Sequence, residues 1–68
     1  MTIGGLILKE AFINKYYIDK KVSLDAEGNT YHGTAAECNN GILSLKWDVG
    51  NEYTHIEVEK ITAIWKRM

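Results

Sequence analysis

Few residues in this chain have side chains suited to chemistry. His32 and His55 are its only histidines and Cys38 its only cysteine, with carboxylates at Asp25, Glu27, Glu37, Asp48, Glu52, Glu57 and Glu59. A metal site would draw on these groups. Structural zinc, however, takes Cys or His in pairs a few residues apart, and no such pair is present. General acid–base catalysis needs two groups held in one cleft with their pKa values pushed apart, whereas these carboxylates are scattered among polar residues. The expectation is no enzyme, no metal and no cofactor, with solvent-facing histidines. Cys38, without a second cysteine, cannot close a disulfide within the chain, and reads as a buried, reduced thiol of a cytoplasmic protein.

The aromatics Tyr16, Tyr17, Tyr31, Trp47, Tyr53 and Trp65 form the more informative set. Flat side chains on a small β-domain can stack single-stranded bases without reading their sequence. Trp and Tyr are equally enriched where subunits meet, and core packing plus subunit contact is the favoured reading. Lys20–Lys21 and Lys66–Arg67 are the paired bases, read as solvated unless the fold brings them together. A net charge of −1 argues against a strong non-specific nucleic-acid binder, whose affinity comes mostly from many Lys and Arg contacts to phosphate.

These residues have to be positioned by short elements. Around Lys21–Leu45 the apolar residues recur every second position, the period of a strand. Val22 and Leu24 oppose Lys21, Ser23 and Asp25. Glu27-Gly28-Asn29 supplies a turn, and a second strand carries Tyr31, Gly33 and Ala35 in phase. Gly33 inside that strand marks a bend or the close approach of another backbone. Asn39-Asn40-Gly41 is a strong hairpin signal, and Leu43, Leu45 and Trp47 alternate with Ser44 and Lys46 in a third strand. Asp48-Val49-Gly50-Asn51 turns the chain again. In a fourth strand Thr54, Ile56 and Val58 oppose Tyr53, His55 and Glu57. Glu59-Lys60 fits one tight helical turn, and Ile61, Ala63 and Trp65 alternate with Thr62 and Ile64 in a fifth strand that is apolar on both faces.

Ahead of these strands, Ile3, Leu6, Ile7 and Ile13 follow helical spacing, with Glu10 the one break in the stripe. Thr2 is placed to cap such a helix and Asn14 to end it; the alternative is a strand across Leu6–Leu8. The expected elements are a helix at about 3–14 and strands at about 20–26, 30–38, 42–48, 52–58 and 61–66. The 68 residues form one domain, mainly β: a short N-terminal α-helix, then a five-stranded, strongly bent antiparallel sheet. A chain of about 60 residues buries only about 60% of its unfolded surface. With no disulfide to help, oligomerisation is the expected source of extra stability. No leader pattern and no membrane-spanning run is evident, so the expectation is a soluble, cytoplasmic protein.

A helix followed by five short strands, with a tight turn before the last, resembles the Sm-like family of small β-barrels across nearly the whole chain. Val22, Leu24, Gly28, Gly33 and Asn39, followed by Ile42, Leu43 and Leu45, stand where that family's first motif has its alternation, glycines and polar strand end. Ile56–Trp65 matches the second motif. The chain departs from the family at Leu43, where a base-contacting Asn is usual, and at Glu59-Lys60, where an Arg-Gly or Lys-His type pair is usual. The resemblance implies a small barrel that closes into a homo-oligomeric ring by pairing strands four and five between subunits. Tyr53, Ile56, Val58, Ile61, Ile64 and Trp65 are then the interface candidates. The expected role is an interaction scaffold, or a weak single-stranded RNA binder through aromatics and scattered lysines, with Lys21, Tyr31, Asn39, Asn40, Trp47 and Lys60 as contact candidates. Five-stranded barrels of the Src-homology type share much of the pattern, and the alternative is a monomeric adaptor that takes a protein partner on an exposed strand edge or aromatic groove.

Overall fold

The computed structural model describes residues 3–67, with side chains from residue 9 onward. The expected cap Thr2 and the side chains of Ile3, Leu6 and Ile7 lie outside the described set. Helix α1 spans Ile3–Tyr16, followed by strands β1 Lys21–Ala26, β2 Asn29–Asn39, β3 Ile42–Lys46 and β4 Tyr53–Glu57, a single 3₁₀ turn at Val58–Lys60, and β5 Ile61–Lys66. The order across the sheet is β4-β3-β2-β1-β5, with every neighbouring pair antiparallel.

The tight turns follow their residues. Glu27 and Gly28 have φ of 52° and 81°, and Asn40 and Gly41 of 53° and 77°. Positive φ at both central positions is the hairpin turn whose twist matches the flanking strands. The helix runs two residues beyond Asn14, whose side-chain amide donates to the Cys38 carbonyl at 2.8 Å and so ties α1 to β2. Glu10, the polar break in the apolar stripe, accepts the Gly41 N–H at 2.7 Å and closes the β2–β3 turn from outside. The third strand ends at Lys46 rather than 48, and the fourth runs over 53–57.

Strand β2 creates the bend. Its first half, Asn29–Thr34, pairs with β1, and its second half, Thr34–Asn39, pairs with β3, so only Thr34 is paired on both sides. Gly33 and a bulge between Ala35 and Glu37 sit at this corner, where a missing side chain and an extra residue let a strand turn sharply. The concave face carries the core: Val22, Leu24, Ala26, Ala35, Cys38, Leu43, Leu45 and Ile56, joined by Val58 and Ile61 and roofed by Ile13 of α1. The convex face carries Ser23, His32, Ser44, Tyr53, His55 and Trp65. The sheet is curled but not closed into a barrel: β4 pairs only with β3 and β5 only with β1, which leaves two open edges.

Candidate interaction site

The convex face holds both histidines, each hydrogen-bonded across strands to a serine: Ser23 Oγ to His32 Nδ1 at 2.7 Å, Ser44 Oγ to His55 Nδ1 at 3.0 Å. The Ser23 residue is only 2% exposed, and the Ser44 pair lies on open surface. Among the described residues no three of His, Cys, Asp and Glu converge as metal ligands, and no described helix is long and apolar enough to cross a membrane. Burial pushes the Cys38 thiol up to about 11, with the nearby Glu10 charge adding to the effect.

The two open edges are chemically different. On β4, Tyr53 is 48% exposed on the convex face, between Glu52 and Glu57 at the strand's ends. On β5, Trp65 is 43% exposed on the same face, opposite Ser23 in register, with Lys60 before the strand and Lys66 at its end. Among the described residues neither Glu52 nor Lys66 has an ion-pair partner. Lys60 is engaged by Glu27 at 3.1 Å and Glu57 at 3.5 Å, which raises its pKa, the Glu27 hydrogen bond foremost.

Beside β5, on the concave side, an apolar groove of about 410 Å³ lies between that strand and α1, walled by Phe12, Ile13, Val58, Ile61, Ala63 and Ile64. Its cation is Lys9, whose ammonium donates to the Ile61 carbonyl at 3.2 Å. At the far end of the sheet the Arg67 guanidinium grips Asp48 through two bonds of 2.9 and 3.0 Å, tying the end of β5 to the β3–β4 loop. That contact holds the Asp48 carboxyl below the usual carboxylate range and raises Arg67.

The residues expected to contact RNA do not form one surface. Tyr31 lies on the concave face, packed against the core. Asn39 donates to the Glu37 carboxylate at 2.8 Å, and Asn40 sits in the β2–β3 turn. Trp47 lies at the other end of β3 from these asparagines, about 17 Å of strand away. Lys21, at the start of β1, lies near Asp48, and Lys60 is held by two glutamates. Of the interface candidates, Ile56, Val58 and Ile61 are buried within the single chain, because the concave face and the 3₁₀ turn close over them. Ile64 is partly buried at the groove, and Tyr53 and Trp65 stand exposed on the edges. Sequence reasoning missed the groove, Lys9 and the Asp48–Arg67 tie, since their partners are distant in the chain and carry no local pattern.

The fold defines a small, mainly β domain of one helix on a curled five-stranded antiparallel sheet with two free edges. The chain belongs to the family described as Domain of unknown function (DUF6897), whose model matches residues 9–67. No curated protein and no solved structure matches it.

Proposed function

We propose that this domain is a non-enzymatic interaction module that assembles with copies of itself, the open edge of β4 in one copy pairing antiparallel with the open edge of β5 in the next. This is the assembly implied by the chain's resemblance to Sm-like small barrels. What supports the reading is the complementarity of the two edges. An antiparallel joint pairs residues whose backbone groups are still free. On β4 these are Tyr53, His55 and Glu57, because Glu52 is already bonded to Trp47, and on β5 they are Ile64 and Lys66, because the Arg67 N–H bonds the Lys21 carbonyl. Setting Tyr53 opposite Lys66 of the next copy and His55 opposite Ile64 matches free groups with free groups and lays an aromatic ring beside a cation. Free strand edges invite pairing, and an edge-to-edge contact of unlike edges propagates head to tail, closing into a ring where its rotation divides a full turn. The six residues expected to touch RNA do not converge, so the reading rests on assembly and not on RNA.

Light scattering on a sizing column at two protein concentrations tests it. The expected result is one fixed multiple of the chain's mass at both. Tyr53→Ala and Lys66→Ala should each reduce assembly, and the double variant should cost little more than either alone, because the two side chains form one contact. A monomer at both concentrations would remove the self-assembly reading and leave the β5 edge as a place for a different protein partner.

A further inference from the structure

We infer that His55 is a pH switch of the joint between copies, which holds while the imidazole is neutral and loosens once it is protonated. The inference rests on the edge pairing proposed above and names what controls it.

His55 projects from the convex face of β4 and is one of the residues there whose backbone groups are free. Its Nδ1 meets Ser44 Oγ at 3.0 Å, which ties the ring to β3, and the Tyr53 ring stacks beside it with centroids 6.3 Å apart. Histidine is the side chain whose ordinary change of charge falls between about pH 5 and 8. Within its own chain the imidazole faces charges of both signs. Glu37 of β2 shares a shallow hollow with it. Glu57 stands two residues along β4 on the same face, and Lys46 of β3 lies opposite Tyr53. Glu37 is engaged by Asn39, and Glu57 by Lys60. All of these are present in the single chain and in the assembly alike. Only what the next copy adds can couple the proton to assembly, because linkage depends on the difference between the two states.

What the next copy adds is apolar and cationic. With His55 opposite Ile64 and Tyr53 opposite Lys66, the imidazole is covered by an isoleucine and lies diagonal to an ammonium. Directly opposed side chains share a face, so the side of the next copy turned toward His55 is its concave side. There Val22 and Leu24 of β1 stand behind Lys66 and Ile64 in register, and α1 contributes Lys9, Phe12 and Ile13. Its Lys60 and Glu59 precede Ile64 by four and five residues, outside that contact. Burial against Ile64 and repulsion from Lys66 both disfavour the imidazolium. A group that takes up its proton less readily in the assembly than in the single chain strengthens assembly above its ordinary range and weakens it below. His32, the other histidine, supplies the control. It sits on the inner strand β2, bonded to Ser23 and close to Asp48, away from both edges.

Light scattering of the full chain at pH 7.5 and pH 5.5, at one fixed ionic strength, tests the switch. The concentration at half-assembly should rise about tenfold on acidification, the most that one ordinary imidazole supplies over that interval. His55→Gln should assemble at both pH values without that rise, and His32→Gln should keep it. In the wild-type chain, NMR of the ring protons should show His55 titrating later on acidification in the assembled sample than after dilution, and His32 titrating alike in both. Should His55→Gln fail to assemble, the ring titration decides. Assembly that is equal at the two pH values, a response that survives His55→Gln, or identical His55 titrations in the two samples would overturn the switch while the edge pairing stands. Should the wild-type chain remain monomeric at both pH values, the edge pairing fails and the switch fails with it.

Discussion

Gly33 and Lys46 meet backbone to backbone: a Cβ built on Gly33 collides with the Lys46 carbonyl oxygen and stands 2.9 Å from Leu45 Cγ. The neighbour in the way is main chain, fixed by the pairing of Lys46 with Thr34 and Tyr53, so it cannot swing aside. This approach puts β3 against the corner of β2 and lets the sheet curl over its core.

Gly33→Ala should therefore destabilise the domain although it adds one methyl group. Overpacking of this kind costs about 1–3 kcal/mol, a large share of the margin of a 68-residue chain. The midpoint of urea unfolding should drop with its slope unchanged. An unchanged midpoint would mean that β2 does not approach β3 at this residue.

A second prediction follows from the tie between Asp48 and Arg67. The Arg67 hydrogen bond depresses the Asp48 pKa in the folded state. A depressed carboxylate contributes stability above its unfolded pKa, about 3.9, and that contribution fades as pH falls through the folded value. Wild type should thus melt above Asp48→Asn at pH 7 and pH 5, with the two melting temperatures converging as the pH drops below about 4. A gap that stays constant into strong acid would mean that the charge is not what holds the loop.

The reach of the sequence can be judged from particular residues. Local signals succeeded: Glu27-Gly28 and Asn40-Gly41 adopt the positive φ that their residue types favour, Glu59-Lys60 falls in a single tight turn, and Gly33 stands at a close approach of backbone. Alternation correctly sorted β4 into two faces but did not say how far the core extends, so Ile56, Val58 and Ile61 read as interface when the chain itself buries them. Tyr31 read as a base-stacking ring for the same reason. The groove joins residues 9–13 to 58–64, and Asp48 meets Arg67 across 19 residues. Contacts of that kind are set by the curl of the whole sheet, which no short window of sequence contains. Glu10 looked like a flaw in a helix, and its use became visible only once Gly41 was brought to it.

Cys38 provides the third prediction, with Glu10 as its probe. Burial, aided by Glu10, raises the thiol to about 11. A thiol reagent at pH 8 should react with the native domain far more slowly than with the denatured chain. A raised folded pKa also means that the stability linked to this proton is complete below the unfolded value, about 8.5, and is lost as pH rises toward 11. Cys38→Ala should flatten that alkaline decline. Glu10→Gln keeps an oxygen for the Gly41 N–H and removes the charge, so most of the Cys38 shift should survive it. Glu10→Ala leaves a partly buried donor unpaired and should cost about 1–3 kcal/mol. Equal stability of the Gln and Ala variants would show that this hydrogen bond does not hold the turn.

The last prediction separates the two kinds of contact invoked at the edges. Lys66 is an exposed charge, and contacts of that kind contribute little and are screened by salt. Raising the ionic strength should loosen the assembly without dissolving it. Trp65 instead would lose a large aromatic surface from the middle of the edge. Trp65→Ala should behave as a hot-spot truncation, costing association about 2 kcal/mol or more, equivalent to a roughly thirtyfold rise in the concentration at half-assembly. The side chain sits at the outer edge of β5, 43% exposed in the single chain, so the unfolding midpoint measured at monomeric dilution should change much less than the assembly does. Should salt abolish assembly while Trp65→Ala leaves it intact, charge and not aromatic contact would be the main force between copies, and Trp65 would have no part in the joint.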